Sequence, residues 1–309
     1  MAKYLVTGGA GFIGSNLVEE LLKRGERVRV LDNFITGRRQ NLAPFLGDVE
    51  LIEGDMTHYH VALKAVEGVD FVLHQAALPS VPRSIADPLT SNLINVNGTL
   101  NILHAAVEKK ATRVIYASSS SVYGDSPVSP KTETLPPAPK SPYAVSKIAG
   151  EYYCRVFTQV YGLETVSLRY FNVFGPRQDP ASPYSAVIPK FLRAMLRGER
   201  PVIYGDGSQS RDFTFVANNV EANLLACAAS GVAGEVFNIA CGTNFTLLEL
   251  VAALNRILGT SSEPILSADR PGDIKHSLAD ISAARKRLGY QPRVSFEEGL
   301  KRLVENFER

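Results

Sequence analysis

A cluster of glycines at a strand-to-helix junction constrains this chain more than any other feature. Tyr4-Leu5-Val6 is a short strand-like run, and Gly8-Gly9-Ala10-Gly11-Phe12-Ile13-Gly14 follows it closely. Beyond the glycines, Leu17, Val18, Leu21 and Leu22 recur at helical spacing, and Gly25 marks the stop. Glycine weakens a helix, so Gly8, Gly11 and Gly14 at its start need a backbone reason. Without a Cβ the chain turns tightly. Its amides, at the positive end of a helix, can then approach a pyrophosphate. The next run, Val28-Arg29-Val30-Leu31, closes on Asp32. A carboxylate about 20 residues past such a turn bonds an adenosine ribose and repels a 2′-phosphate. The pattern therefore predicts a dinucleotide cofactor, NAD in preference to NADP. Arg38 and Arg39, just downstream, are the residues that weigh the other way.

The strand–helix alternation continues through Leu51-Ile52, Phe71-Val72-Leu73 and Val114-Ile115-Tyr116, with a helix from about Tyr143 to Tyr161 and a strand from Thr165 to Arg169. Such alternation builds a parallel sheet. The expected fold is α/β: a Rossmann-type, doubly wound parallel sheet with a smaller mixed α/β C-terminal substrate domain. A length of 309 residues exceeds one ordinary core. Residues 1–169 are read as the dinucleotide-binding domain, with segments around 211–240 returning to it, and residues 170–309 mainly as the substrate domain. The Pro-rich stretch Leu135 to Pro139 reads as a surface loop.

Composition excludes several roles. A net charge of +2 gives no broad basic face for nucleic acid. No apolar run approaches a membrane span, and the N-terminus lacks signal-peptide features, so a cytoplasmic location is expected. Cys154, Cys227 and Cys241 are widely spaced and read as reduced, buried thiols. His58 and His60 have no further ligand nearby, and no metal is predicted.

The chemistry concentrates in Tyr143-Ala144-Val145-Ser146-Lys147, which puts a phenol and an amine on one helix face. A phenol with a pKa of about 10 is a poor base near neutrality, but an adjacent ammonium favours its phenolate. Ser118-Ser119-Ser120-Ser121 follows the strand Val114 to Ala117 at its carboxyl end, where ligands bind in open α/β sheets. A serine there can hold a substrate hydroxyl beside Tyr143.

With these motifs the chain resembles the nucleotide-sugar epimerase/dehydratase group of extended short-chain dehydrogenases/reductases, and more closely the UDP-hexose 4-epimerases. The likeness runs end to end, through GGAGFIG, HQAA at 74 to 77, SSSSVYG, YAVSK, RYFNVFG, RDF at 211 to 213 and RPGD at 270 to 273. It implies Ser119, Tyr143 and Lys147 as the catalytic trio, with neighbouring Ser118 and Ser120 leaving the register open. It implies cofactor contacts from Gly8, Gly11, Phe12, Ile13, Gly14, Asp32, Asn33, Asp55, Met56, Ala76, Ala77, Asn95, Ser118, Tyr143, Lys147, Tyr170 and Val173. The nucleotide-sugar site would be lined by Ser119, Ser120, Tyr143, Asn172, Val187, Tyr204, Arg211, Arg270, Asp273 and Ser277. Arg211 and Arg270 suit diphosphate oxygens, and Tyr204 suits a uracil ring.

Dehydratase relatives carry an Asp-Glu pair where Ser120 and Ser121 stand here. Elimination needs an acid and a base that hydroxyls do not readily replace, so inversion at C4 through a transient 4-keto sugar is the implied reaction. Ser277, small where enzymes restricted to simple hexoses carry Tyr, points to UDP-GlcNAc/UDP-GalNAc as well as UDP-Glc/UDP-Gal. The resemblance also implies a homodimer built on helices within Asn92 to Val107 and Tyr143 to Tyr161. The rivals are an NAD-dependent dehydrogenase, reductase or decarboxylase on the same kind of sugar, and a non-catalytic NAD-sensing module.

Overall fold

The structure is a computed structural model that describes residues 1–179, 186–268 and 275–307. Its first strands and helices are β1 (Lys3–Thr7), α1 (Phe12–Lys23), β2 (Arg27–Asp32), β3 (Val49–Glu53), α2 (Tyr59–Val66) and β4 (Phe71–His74). After them come α3 (Gly98–Glu108), β5 (Arg113–Ser119), α4 (Pro142–Tyr161), β6 (Glu164–Tyr170), α5 (Val216–Ala228) and β7 (Glu235–Ile239). The strands form one parallel sheet in the order β7-β6-β5-β4-β1-β2-β3. With helices on both faces, strands of such a sheet are buried throughout and read as continuous apolar runs. Val114, Ile115, Tyr116 and Ala117 of β5 are all buried, as are Leu17, Val18 and Leu21 of α1. The Rossmann-type sheet read from the sequence is therefore present.

Strand order reverses between β1 and β4, and a crevice opens there at the carboxyl ends. Helix α4 reaches that end because its first turn is set by three separate devices. Pro142, in the opening turn, has no N–H to satisfy, the Ala144 amide donates to Ser141 Oγ (3.1 Å), and the Tyr143 amide donates to Ser84 Oγ (3.0 Å). Gly150 brings α4 close to the sheet, since a Cβ there would lie 2.3 Å from the Tyr116 hydroxyl.

The rest of the described chain is assembled differently. Three two-stranded ribbons pair Val173–Phe174 with Thr214–Phe215, Ser210–Arg211 with Phe245–Thr246, and Val202–Tyr204 with Ile265–Ser267. Phe174, Phe213, Phe245 and Phe296 pack together as their core. Buried polar side chains join the pieces. Asp212 accepts from the amides of Cys241 (2.9 Å), Gly242 (3.0 Å) and Ala279 (3.3 Å). Asn238 on β7 donates to the carbonyls of Lys131 (2.9 Å) and Asp280 (3.1 Å). Among the described residues no helix is long and apolar enough to cross a membrane.

Candidate active site

The crevice is a cleft of about 440 Å³. Of the residues expected at a cofactor, Gly8, Gly11, Phe12, Ile13, Gly14, Asp32, Asn33, Asp55, Met56, Ala76, Ala77, Ser118, Tyr143, Lys147 and Tyr170 line it. The glycine turn has the backbone reason the sequence asked for. Gly8 is at φ +69, and a Cβ on Gly14 would stand 2.1 Å from the Gly8 carbonyl oxygen. No side chain caps α1 at Gly11 and no acidic residue stands in its first turn, so its amide end faces the cleft without a competing carboxylate. Asp32 closes β2, its carboxylate accepting from the amides of Ala10 (2.9 Å) and Phe34 (2.8 Å). Arg38 pairs with Asp179 at 2.5 Å, and Arg39 with Glu53 at 2.6 Å, so each already has a carboxylate in place of a 2′-phosphate. A cradle that any side chain would fill, an uncapped helix end and a buried carboxylate together fit a dinucleotide.

Asn95 and Val173 stand outside this lining. Asn95 is buried behind the wall, accepting from the Leu78 amide (2.7 Å) and donating to Ser146 Oγ (3.1 Å). Val173 lies in the ribbon with Thr214.

Around Tyr143 the serine run resolves by geometry. Ser119, the last residue of β5, lies beside Tyr143 and acts to lower the pKa of its phenol. Ser118 instead donates to the buried Glu151 carboxylate. Ser120 and Ser121 begin a short 3₁₀ turn (Ser120–Tyr123). Lys147 is buried, and its Nζ donates to the Ala117 carbonyl (2.8 Å), 5.8 Å from the centroid of the Tyr143 ring. Burial lowers the Lys147 amine to about 8, against the Glu151 carboxylate, which raises it. Burial also holds the Tyr143 phenol above its ordinary value, with Ser119 acting the other way. The adjacent ammonium and a cationic nicotinamide are the groups expected to favour the phenolate against this desolvation.

The residues expected at a sugar nucleotide lie largely beyond this cleft. Asn172, at φ +33, donates to the Asp212 carbonyl (3.3 Å). Val187 opens the helix Val187–Leu196. Tyr204 ends one ribbon strand, Arg211 donates to the Ser210 carbonyl (2.9 Å), and the Ser277 amide donates to the same carbonyl (3.0 Å). A hollow between Gly205, Asp206, Ser267, Ala268 and Lys275 adjoins this region, and Arg211 also donates to the Lys275 carbonyl (3.2 Å). Arg270 and Asp273 lie outside the described residues.

Sequence reasoning missed two features. Thr7 Oγ1 bonds His74 Nδ1 (2.7 Å) and accepts from the Ala76 amide (3.1 Å), fixing the strand end that carries Ala76 and Ala77. Nothing local signals that pairing across two strands. Glu151, by contrast, repeats the four-residue step of Tyr143 and Lys147, and that spacing could have revealed it.

An α/β fold with a dinucleotide cleft and a Tyr/Lys/Ser constellation at its carboxyl edge defines a class of nicotinamide-dependent enzymes, and comparison with known proteins narrows the class. Residues 4–240 match the NAD dependent epimerase/dehydratase family. A UDP-glucose 4-epimerase of Mycolicibacterium smegmatis is 38% identical over 98% of this chain and 97% of its own length. A UDP-N-acetyl-alpha-D-glucosaminuronate decarboxylase of Bacillus cytotoxicus is 35% identical over 98% and 97%. The solved UDP-N-acetylglucosamine 4-epimerase of Methanobrevibacter ruminantium, in complex with UDP-N-acetylmuramic acid, superposes with a TM-score of 0.95 at 42% identity, covering 99% of this chain and 98% of that one. The chain belongs to the NAD dependent epimerase/dehydratase family, and its cofactor is NAD.

Proposed function

We propose that this enzyme is a UDP-sugar 4-epimerase that interconverts UDP-GlcNAc and UDP-GalNAc as well as UDP-Glc and UDP-Gal. The observation that carries the reading is the Tyr143 phenol with Ser119 at its side and buried Lys147 one turn along the same helix face, with hydroxyls rather than carboxyls at Ser120 and Ser121. The Gly8–Gly14 turn, Asp32, Asn33 and Ala76 would hold the cofactor. Bound NAD supplies the hydride acceptor and donor, so the overall reaction is redox-neutral.

Tyr143 then takes the proton of the sugar 4-hydroxyl and later returns it, while Ser119 orients that hydroxyl. Lys147, buried against the Ala117 carbonyl, places its amine where charge develops on the phenol. Inversion requires the sugar to turn while the nucleotide stays fixed, so binding contacts belong on the diphosphate and base. Tyr204 and Arg211, set in the ribbon region, would supply those contacts. Ser277, small at its position, leaves room for an acetamido group.

The test is incubation with a panel of UDP-sugars, products identified by NMR and absorbance at 340 nm followed throughout. C4 epimers without net NADH support the reading. NADH accumulation or loss of a carboxyl group would replace it with the dehydrogenase or decarboxylase alternative. A homodimer belongs to the same proposal. Val145, Tyr152, Val156 and Val160 leave an apolar stripe exposed on α4, and Ile85 and Leu89 are exposed on two short helices packed against it. Sedimentation of the parent and of Val156→Glu checks it. The cytoplasmic location is likewise proposed, supported by three unpaired cysteines.

A further inference from the structure

Directly below Tyr143 and Lys147 lies a buried charge cluster that the proposed proton transfer does not itself use. Tyr143, Lys147 and Glu151 stand at four-residue steps on α4, hence on one face. Glu151 and Arg169 are each 3% exposed. Arg169, from β6, donates Nε and Nη2 to the two carboxylate oxygens at 2.9 and 2.7 Å, and Ser118, from β5, donates its hydroxyl to the same carboxylate. A buried ion pair of this kind stabilises a fold little better than apolar residues of the same volume. Its placement calls for an explanation in what it does to its neighbours.

Lys147 Nζ is faced from several elements. On α4 these are Tyr143, Glu151 and Cys154. From β5 the Tyr116 ring lies 5.1 Å away, and from β4 His74 stacks on Tyr116 at 5.8 Å. Arg169 from β6 lies beyond Glu151, over the Tyr123 ring at 4.7 Å. Most of these carry no charge near neutrality. Burial, with Lys147 adding to it, drops His74 to about 3, and burial pushes Cys154 to about 12 and Tyr116 well above its ordinary value. Glu151 is the carboxylate of the set, and Arg169 is the cation that both holds it and opposes Lys147.

We propose that Glu151 is a positioning residue that keeps Lys147 charged and Ser118 seated in the cofactor wall, so that the pH range in which Tyr143 works is set about two helical turns below it. This rests on the roles given above to Tyr143 and Lys147.

The direct test follows the ¹³Cε resonance of Lys147, assigned by its loss in Lys147→Met, against pH in the purified protein with NAD bound. The titration midpoint should fall in the order parent, Glu151→Asp, Glu151→Gln, the last by one unit or more. The alkaline limb of the kcat–pH profile should move with it, with less than threefold change in KM. An unmoved midpoint in folded Glu151→Gln overturns the proposal. Should that variant fail to fold, the milder Glu151→Asp decides alone, and an unmoved midpoint there overturns it equally. The lysine titration needs no sugar, so an unmoved midpoint in an active epimerase sinks this inference only, and a shifted midpoint in an inactive protein sinks only the epimerase reading.

Discussion

The two halves of this molecule build their sites by opposite means. In the sheet half, function rests on backbone: the turn from Gly8 to Gly14, the end of β2 at Asp32 and the first turn of α4 all follow from short stretches of sequence. In the ribbon half, strands of two or three residues cannot hold a surface by their own ladders. Single side chains do it instead, with Asp212 gathering amides from residues 241, 242 and 279. The contrast teaches where each half is vulnerable: one to changes in backbone freedom or in a reacting group, the other to loss of one acceptor.

The sharpest break is expected at the reacting group. Tyr143→Phe should lower kcat by about a thousandfold, the range of a lost general acid–base, while NAD content stays at the parent level. Near-parental turnover would remove Tyr143 from the chemistry. Next, Gly14→Ala should reduce bound NAD by about a hundredfold, because its Cβ falls 2.1 Å from the Gly8 oxygen and the backbone must move. Extraction of the cofactor and its absorbance measure this, and full NAD content would show that the turn tolerates a side chain.

The pH dependence comes third. Lys147 lies at about 8, below the ordinary lysine value, so it is charged below that pH and neutral above it. If its ammonium supports the Tyr143 phenolate, turnover falls about tenfold per pH unit on the alkaline side, and a flat profile from pH 7 to 10 would contradict this. The smallest effect tests the ribbon half. Asp212→Asn puts an amide where several backbone amides converge, costing about 2 kcal/mol of stability and raising KM for the sugar nucleotide a few-fold with NAD content unchanged. Equal damage to both halves, read by thermal unfolding and cofactor content, would erase the contrast.

The same contrast explains what was legible beforehand. The parallel sheet, the glycine turn, Asp32 and the Tyr143/Lys147 face could be read because each depends on neighbours within a few residues. Ser84, which receives the Tyr143 amide, and the Thr7–His74 bond could not, since they join residues far apart in sequence. The desolvation at Tyr143 and Lys147 was not legible for a related reason: spacing shows that an amine is near, but only the packed structure shows that burial acts on both groups. In the ribbon half, Tyr204, Arg211 and Ser277 came from resemblance alone. The hydrogen bonds that draw Arg211 and Ser277 to one Ser210 carbonyl have no sequence signature.

The Arg38–Asp179 ion pair joins the two banks of the cofactor cleft, one from the loop after β2 and the other from the segment beyond Val173–Phe174. It ties the two walls of that cleft to each other through side chains that are both partly exposed, so the tie is one that added salt screens and that slackens as ionic strength rises.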